Sequence, residues 1–438
     1  MIKKIRQTAL PLILVFVFML TACGTPAATE VIPQTGSTEG SAAEAPQATT
    51  APETEVSEAP EKIIIGNAIA LSGPNAAAAA LSQVPSYDLW VEDVNADGGI
   101  YVREFDKKIP VEILRYDDTS DIGTAVQLTE KLIVEDQVNF ILPPWGTAAN
   151  FAIAPIVSEH IMPTLGCTVS SKQLAAEAEN YPSFFGVLNQ APSQGAALVA
   201  VAQELGVKTA AVIHHTDLHG IEFAGDVLPQ LAAGGIDVVL YKTYPAGASD
   251  LSQLLREVQA ADVDALIAFS YPPETFLMTG QMREIGLNPK MFYATVGVAF
   301  PVYRDAIAAN GAAEGVMGAG AWNPLVQADD AQGYFDRHVA MAGAEPDRWA
   351  SAACYASGQI LQQAIEAAGT LDPAAVQEAI ATGEFNTILG TVKFENQFNT
   401  TYPGNIGQWQ NGEFVIIDPG ENRQAEPIYP KPEWPAGD

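Results

Sequence analysis

Cysteine is almost missing from this chain of 438 residues: Cys23, Cys167 and Cys354 are the three present. That excludes a fold held together by many disulfides. Beyond the N-terminal segment only Cys167 and Cys354 remain, and they read as two buried thiols, although an oxidising compartment would permit a bridge between them. Positive charge is also scarce. With 21 Lys and Arg against 52 Asp and Glu, the formal net charge is −31, which argues against a nucleic-acid partner and against adsorption to anionic lipid, and says nothing about a ligand. No Walker-type loop occurs, and Gly318-Ala319-Gly320 lacks the third glycine and the strand-turn-helix setting of a dinucleotide fingerprint. It reads as a strand with small residues for close packing. There is no G-x-S-x-G elbow, and the five histidines form no recognisable triad. No cofactor is expected, and an enzyme is the weaker class.

What is present begins with an export signal. Lys3, Lys4 and Arg6 precede an apolar run from Ala9 to Leu20, about a dozen residues where a membrane-spanning helix needs roughly 20. The run ends in Leu20-Thr21-Ala22-Cys23, which resembles the bacterial lipobox. Residues 1–22 are therefore expected to be removed and Cys23 to carry lipid. Residues 23–61 are rich in Ala, Thr, Pro, Glu, Ser and Gly, with too little apolar surface to offset ordering entropy, and read as a disordered tether. About 380 residues follow, more than one core usually fills, so two domains are expected.

From Lys62 onward, short β-branched runs alternate with helical patterns. Ile63–Gly66, Val111–Tyr116 and Phe140–Leu142 read as strands, with Asp121 placed to cap a helix. The rhythm restarts near residue 190, with strands at Ala210–His214, Asp237–Tyr244 and Ala265–Phe269 between helices. Two such units predict an α/β protein of two doubly wound parallel-sheet lobes. Near the C-terminus, helices around Ala352–Ala367 and Pro373–Ala381 precede a hairpin turning at Asn411-Gly412. Ligands of such sheets bind beyond the carboxyl ends of the strands, which points to loops near Ser72, Thr147, Ser170, His219, Tyr271 and Thr295.

Three of these loops carry specific chemistry. Leu142–Asn150 holds a strand end, a turn and a helix start; its free amides and the Thr147 hydroxyl would suit a ligand carboxylate, or Thr147 merely caps its own helix. His214–His219 offers imidazoles and Asp217 to a metal if the strand continues, but the strand is expected to end near His214, leaving a loop in which His219 either meets the ligand or has no special role. Tyr271, in Tyr271-Pro272-Pro273-Glu274, and Trp322, after the small-residue strand, are aromatic candidates for the cleft or for rim packing.

The stretches IIIGNAIALSGPNA (63–76), VEDVNADGGI (91–100), VEILRYDDTSD (111–121) and AVQLTEKLI (125–133), with the run from Ile141 to Ser170, resemble the leucine/isoleucine/valine-binding protein family, the solute receptors of branched-chain amino acid and amide ABC importers. The likeness runs from about Lys62 to about Asp418. It implies a type I periplasmic-binding fold whose lobes exchange the chain three times: lobe one at 62–187 and 318–388, lobe two at 188–317 and 389–428, and a tail at 429–438. It also implies site roles. The carboxylate-binding hydroxyl falls on Thr147, the loop that holds the amino-acid head on Thr168 and Ser170, and the second-lobe aromatics on His219 and Tyr271. The acid that grips the ligand's ammonium group falls on Thr295, a neutral hydroxyl that cannot replace a charge-assisted bond. Alanines from Ala76 to Ala80 replace bulkier residues and widen one side of the pocket.

The expectation is a monomeric, non-catalytic lipoprotein outside the cytoplasmic membrane, held to that membrane by lipid only. It would deliver a branched-chain amino acid, an amide or a small carboxylate to an ABC importer permease. A sensory receptor using the same cleft, and a metal-dependent hydrolase using His214–His219, are the alternatives.

Overall fold

The computed structural model describes residues 58–320 and 322–435. The expected export signal, Cys23 with its expected lipid, and the expected tether as far as residue 57 lie outside the described residues. All described elements belong to one compact unit, Val56–Asp438.

Ile63–Ile69 lies between Val111–Asp117 and Phe140–Leu142, parallel to both, with Ile63 opposite Val111 and Ile65 opposite Phe140. Its near-continuous apolar run is buried almost throughout, as a parallel strand covered on both faces requires. Thr164–Gly166 and Phe184–Gly186 extend this lobe as a further parallel pair. The second lobe is a seven-stranded sheet in the order Glu413–Ile416, Ile406–Gln410, Met317–Ala319, Met291–Ala294, Ala265–Phe269, Thr209–His215, Asp237–Tyr244. Five of its strands run parallel. The other two, Ile406–Gln410 and Glu413–Ile416, form the expected hairpin, turning on Asn411 and Gly412, both at positive φ.

Local chemistry sets where the helices start. Asp121 accepts the amide of Thr124 and opens Ile122–Val134, and Asp217 accepts that of Gly220 and opens Leu218–Ala233. His219 therefore lies in the first turn of a helix, where a loop was expected. Pro272 sits at the start of Pro272–Ile285, where its missing N–H has no cost, and Gly286 closes that helix at φ 69°.

Three expectations are corrected. Glu384–Thr387, Gly390–Glu395 and Phe398–Asn399 form a meander that joins Phe184–Gly186 in the first lobe. The third crossing of the chain therefore falls between Asn399 and Ile406, after the expected 388/389 boundary. Likewise Met317–Ala319 pairs within the second sheet, so the second crossing follows it. Cys167 and Cys354 are also not free thiols. They are disulfide-bonded, with Cα atoms 5.0 Å apart and both residues buried, and tie the loop after Thr164–Gly166 to the helix Ser351–Ala368.

The lobes are in contact. The amides of Lys172 and Gln173, on the first lobe, donate to the Glu222 carboxylate of the second at 3.1 and 3.2 Å, and Lys172 Nζ pairs with Asp226 at 2.9 Å.

Candidate functional site

Between the lobes lies a cavity of about 250 Å³. One wall comes from loops that follow first-lobe strands, with Pro74, Asn75, Asp118 and the Trp145–Ala149 segment. The other comes from the second lobe, with Asp217, Gly247, Tyr271 and Glu274. This is where an open α/β sheet places its ligands, and the lining draws on both sheets at once.

Gly146 makes the first wall geometrically feasible. Its φ of 91° is a conformation that L side chains avoid, and it turns the chain so that the helix Thr147–Glu159 begins at the cleft. The Thr147 amide donates to the Tyr271 hydroxyl at 3.3 Å, across the two lobes. Thr147 Oγ1 accepts the Ser170 amide at 3.4 Å, Thr168 Oγ1 accepts the Gly146 amide at 3.1 Å, and Ser170 Oγ accepts from Gln194 at 3.2 Å. All three hydroxyl residues are buried.

Tyr271 organises the opposite wall. Its ring stacks on His219 with centroids 4.9 Å apart, and meets His215 and Trp145 edge-on at 4.6 and 4.9 Å. Behind it, His219 Nε2 and Thr295 Oγ1 are 3.1 Å apart, and Thr295 also bonds both the amide and the carbonyl of Ser270. Six of the expected positions, Thr147, Thr168, Ser170, His219, Tyr271 and Thr295, thus come together as one hydrogen-bonded and stacked group, of which Tyr271 lines the cavity. Trp322 does not join them. Its indole N–H donates to the Ile388 carbonyl at 2.8 Å and its ring meets Tyr334, so it is fully buried core away from the cavity lining. The alanine run is likewise not the wall: Ala78 and Ala79 are buried, and Pro74 and Asn75 reach the cavity.

The electrostatics are one-sided. Burial pushes the Asp118 carboxyl up to about 6, opposed by the Ser120 amide and helped by Asp117 and Asp121. Burial also pushes Asp217 up to about 6, against the amides of Gly220 and His219, with Glu274 adding to the rise. His215 is driven down to about 3 by burial and then by His214, and burial holds His219 well below its ordinary value. At neutral pH the carboxyls are therefore mostly ionised and these imidazoles neutral. His215 Nε2 approaches Asp217 to 3.2 Å, but a neutral ring out of hydrogen-bonding alignment makes no ion pair there. His214 is engaged elsewhere, with Tyr241 and the His215 carbonyl at 2.8 Å each. Among the described residues no group of three or more His, Cys, Asp or Glu side chains is arranged to hold a metal ion.

Residues 62–413 match the family described as periplasmic binding protein. The chain belongs to this family. A Leu/Ile/Val-binding protein homolog 1 of Brucella suis biovar 1 (strain 1330) is 25% identical over 354 residues, spanning 80% of this periplasmic binding protein and 91% of that one. A leucine-, isoleucine-, valine-, threonine-, and alanine-binding protein of Pseudomonas aeruginosa is 25% identical over 329 residues, 75% and 82% of the two chains. Among solved structures, a branched-chain amino acid transporter substrate binding protein of Streptococcus pneumoniae in complex with isoleucine superposes with a TM-score of 0.72. It has 19% identity and covers 82% of this chain and all of that one. An ABC transporter solute binding protein of R. palustris in complex with benzoate gives 0.70 at 18% identity, covering 82% and 96%. The fold is that of the type I periplasmic binding proteins, and the family is one of solute-binding proteins and not of enzymes.

Among the cavity residues outside the expected ligand contacts are Trp145, Asp118, Asp217 and Glu274. Each follows a strand or opens the next helix, so strand-end position was the available signal. It does not distinguish a lining side chain from its neighbour.

Proposed function

We propose that this periplasmic binding protein is a lipid-anchored receptor outside the cytoplasmic membrane, which captures a small polar solute between its lobes and hands it to an ABC importer permease. The observation that carries the reading is the cavity of about 250 Å³ lined from both lobes. A ligand contacting both walls favours the closed arrangement, and only such differential contact shifts the lobes from open to closed. In this reading the Thr147 amide and the Thr168–Ser170 loop take the ligand's polar head, and Tyr271, with His219 and Thr295 behind it, completes the site on closure. A ligand oxygen arriving at the Thr147 amide would replace the Tyr271 hydroxyl. The Cys167–Cys354 bond supports export, since such bonds persist in oxidising compartments. The relatives bind solutes of matching size: isoleucine in one solved neighbour and benzoate in another.

A thermal-shift screen of the purified protein against amino acids, amides, small carboxylates and small amines tests the reading. Ligand at 100 times its dissociation constant stabilises by about 2.7 kcal/mol. A rise in melting temperature with one class supports the receptor; no rise with any class counts against it. The anchor has its own test: labelling with a palmitate analogue should mark the wild-type protein and not Cys23→Ala.

A further inference from the structure

The cavity's own chemistry narrows the solute. Asp118, Asp121, Asp217 and Glu274 all line it, and among the described residues none of the lining side chains is Lys, Arg or His. An acidic cluster alone would prove little, because an exposed one is simply hydrated. This one is not simply exposed: Asp118 and Glu274 are each 3% accessible. Glu274 Oε1 accepts the Gly247 amide at 2.6 Å, while its Oε2 is buried with no hydrogen-bond partner. Nearby in the same lobe, the Tyr244 hydroxyl and both His215 ring nitrogens are also buried and unpartnered. A buried carboxylate oxygen without a donor costs free energy that an incoming donor, above all a charged one, would recover.

The rest of the lining says what kind of cation fits. Carbon surfaces of Pro74, Ile122, Ala149 and Ala246 and the rings of Trp145 and Tyr271 share the cavity with the carboxylates. A hydrated metal ion gains nothing from such walls, whereas an organic ammonium ion gains from the apolar surface and from neighbouring aromatic rings. Trp145 adds one more condition. Its indole N–H is buried without an acceptor, so a ligand carrying an oxygen would satisfy it.

We infer that the solute of this cleft is a small organic ammonium ion, whose positive end lies against Glu274 and Asp217 and whose remainder packs between Trp145 and Tyr271. The inference rests on the cleft being the solute site, and it relocates the cation's partner from the position of Thr295, behind Tyr271, to the carboxylates in front of it. It also separates this chain from relatives whose cleft holds benzoate, since a carboxylate without a positive group would meet four acids and no cation.

Isothermal titration of the purified protein with ethanolamine and choline, each beside an uncharged counterpart (ethylene glycol, and neohexanol as choline's isostere), tests it, with leucine and benzoate alongside. The expected result is binding of at least one cation, none of its neutral counterpart, and a loss of roughly tenfold or more in affinity in Glu274→Gln. That variant keeps an acceptor for the Gly247 amide, and Asp217→Asn, which keeps its helix cap, should act in the same direction. If benzoate alone binds, or leucine binds wild type and Glu274→Gln equally while neither cation binds, the receptor reading stands and this inference falls. If nothing binds, this inference falls and the receptor reading rests on the wider screen with amides. Cation binding unchanged in both variants would also overturn it.

Discussion

The first-lobe loops that carry Thr147, Thr168 and Ser170 hold hydroxyls and amides that already have partners, whereas the second-lobe wall around Tyr271 is made of titratable and aromatic side chains with polar atoms left over. The Trp145 indole that meets Tyr271 also keeps one. Thr147 and Thr168 each have a partner in a neighbouring first-lobe loop, and the Ser170 hydroxyl has one in Gln194 of the second lobe. Across from them, His215, Tyr244 and Glu274 each keep at least one buried atom unpartnered. The lobes also differ covalently, since the one disulfide among the described residues, Cys167–Cys354, lies within the first. The contrast suggests a division of labour. The stapled first-lobe hydroxyl loops are a fixed template, and the unsatisfied atoms around Tyr271 hold interaction free energy that is realised only when a solute arrives and the lobes close.

The largest way to disturb that contrast is to remove the staple. The bond joins residues 187 apart in sequence, and cross-links closing loops of this size stabilise by about 5 kcal/mol in the chain-entropy account. Replacing both cysteines by alanine should lower the urea midpoint accordingly, with the first-lobe strands losing hydrogen-exchange protection before the second-lobe sheet. A loss below about 1 kcal/mol would mean that packing alone makes the first wall rigid.

A smaller effect is expected at the contact that holds the walls together. Glu222 receives two first-lobe amides at the start of the short helix Lys172–Ala176, and burial raises its carboxyl above the usual range. Such a partly buried acceptor is worth about 1 kcal/mol to the closed arrangement, roughly fivefold in the closed-to-open ratio. Glu222→Ala should increase the radius of gyration of the ligand-free protein in X-ray scattering while leaving the unfolding midpoint nearly unchanged. An unaltered scattering curve would assign closure to Tyr271 and its bond to the Thr147 amide.

Periodicity and the strand-end rule were enough to read three parallel strands in each lobe, the hairpin at Asn411-Gly412 and the neighbourhood of the cleft, but not Thr164–Gly166, Phe184–Gly186 or Met291–Ala294. Family spacing brought Thr147, Thr168, Ser170, His219, Tyr271 and Thr295 together. What stayed hidden depends on partners distant in sequence. The strand Gly390–Glu395 was not read at all, and nothing in its residues says which sheet it joins, so the third crossing was placed too early. Trp322 follows a strand end just as Trp145 does. Only packing sends one indole to the Ile388 carbonyl and the other to the cavity wall. The Cys167–Cys354 bond needs Cβ vectors that sequence does not supply.

The smallest effect at neutral pH, and the most discriminating on acidification, concerns His215. The ring is buried, meets Tyr271 and Tyr244, and makes no hydrogen bond; His214, His219 and Asp217 are the other titratable groups against it. Burial and His214 hold its folded-state value down to about 3, below the ordinary 6.5, so the stability it contributes is present above 6.5 and is lost as pH falls toward 3. Asp118 and Asp217 work in the opposite sense. Raised from 3.8 to about 6, they contribute stability that is full below 3.8 and lost as pH rises through 6. Between pH 4 and 6 the two effects therefore partly cancel, the acids of the cavity masking the acid sensitivity of the histidine behind it. His215→Phe keeps the ring packing and removes one side of that balance. Its melting temperature should match wild type within a few degrees at pH 7 and exceed it increasingly from pH 6.5 down to 4. Parallel pH profiles would mean that the imidazole is protonated without unfolding, through a cleft that opens far enough to hydrate its second-lobe wall.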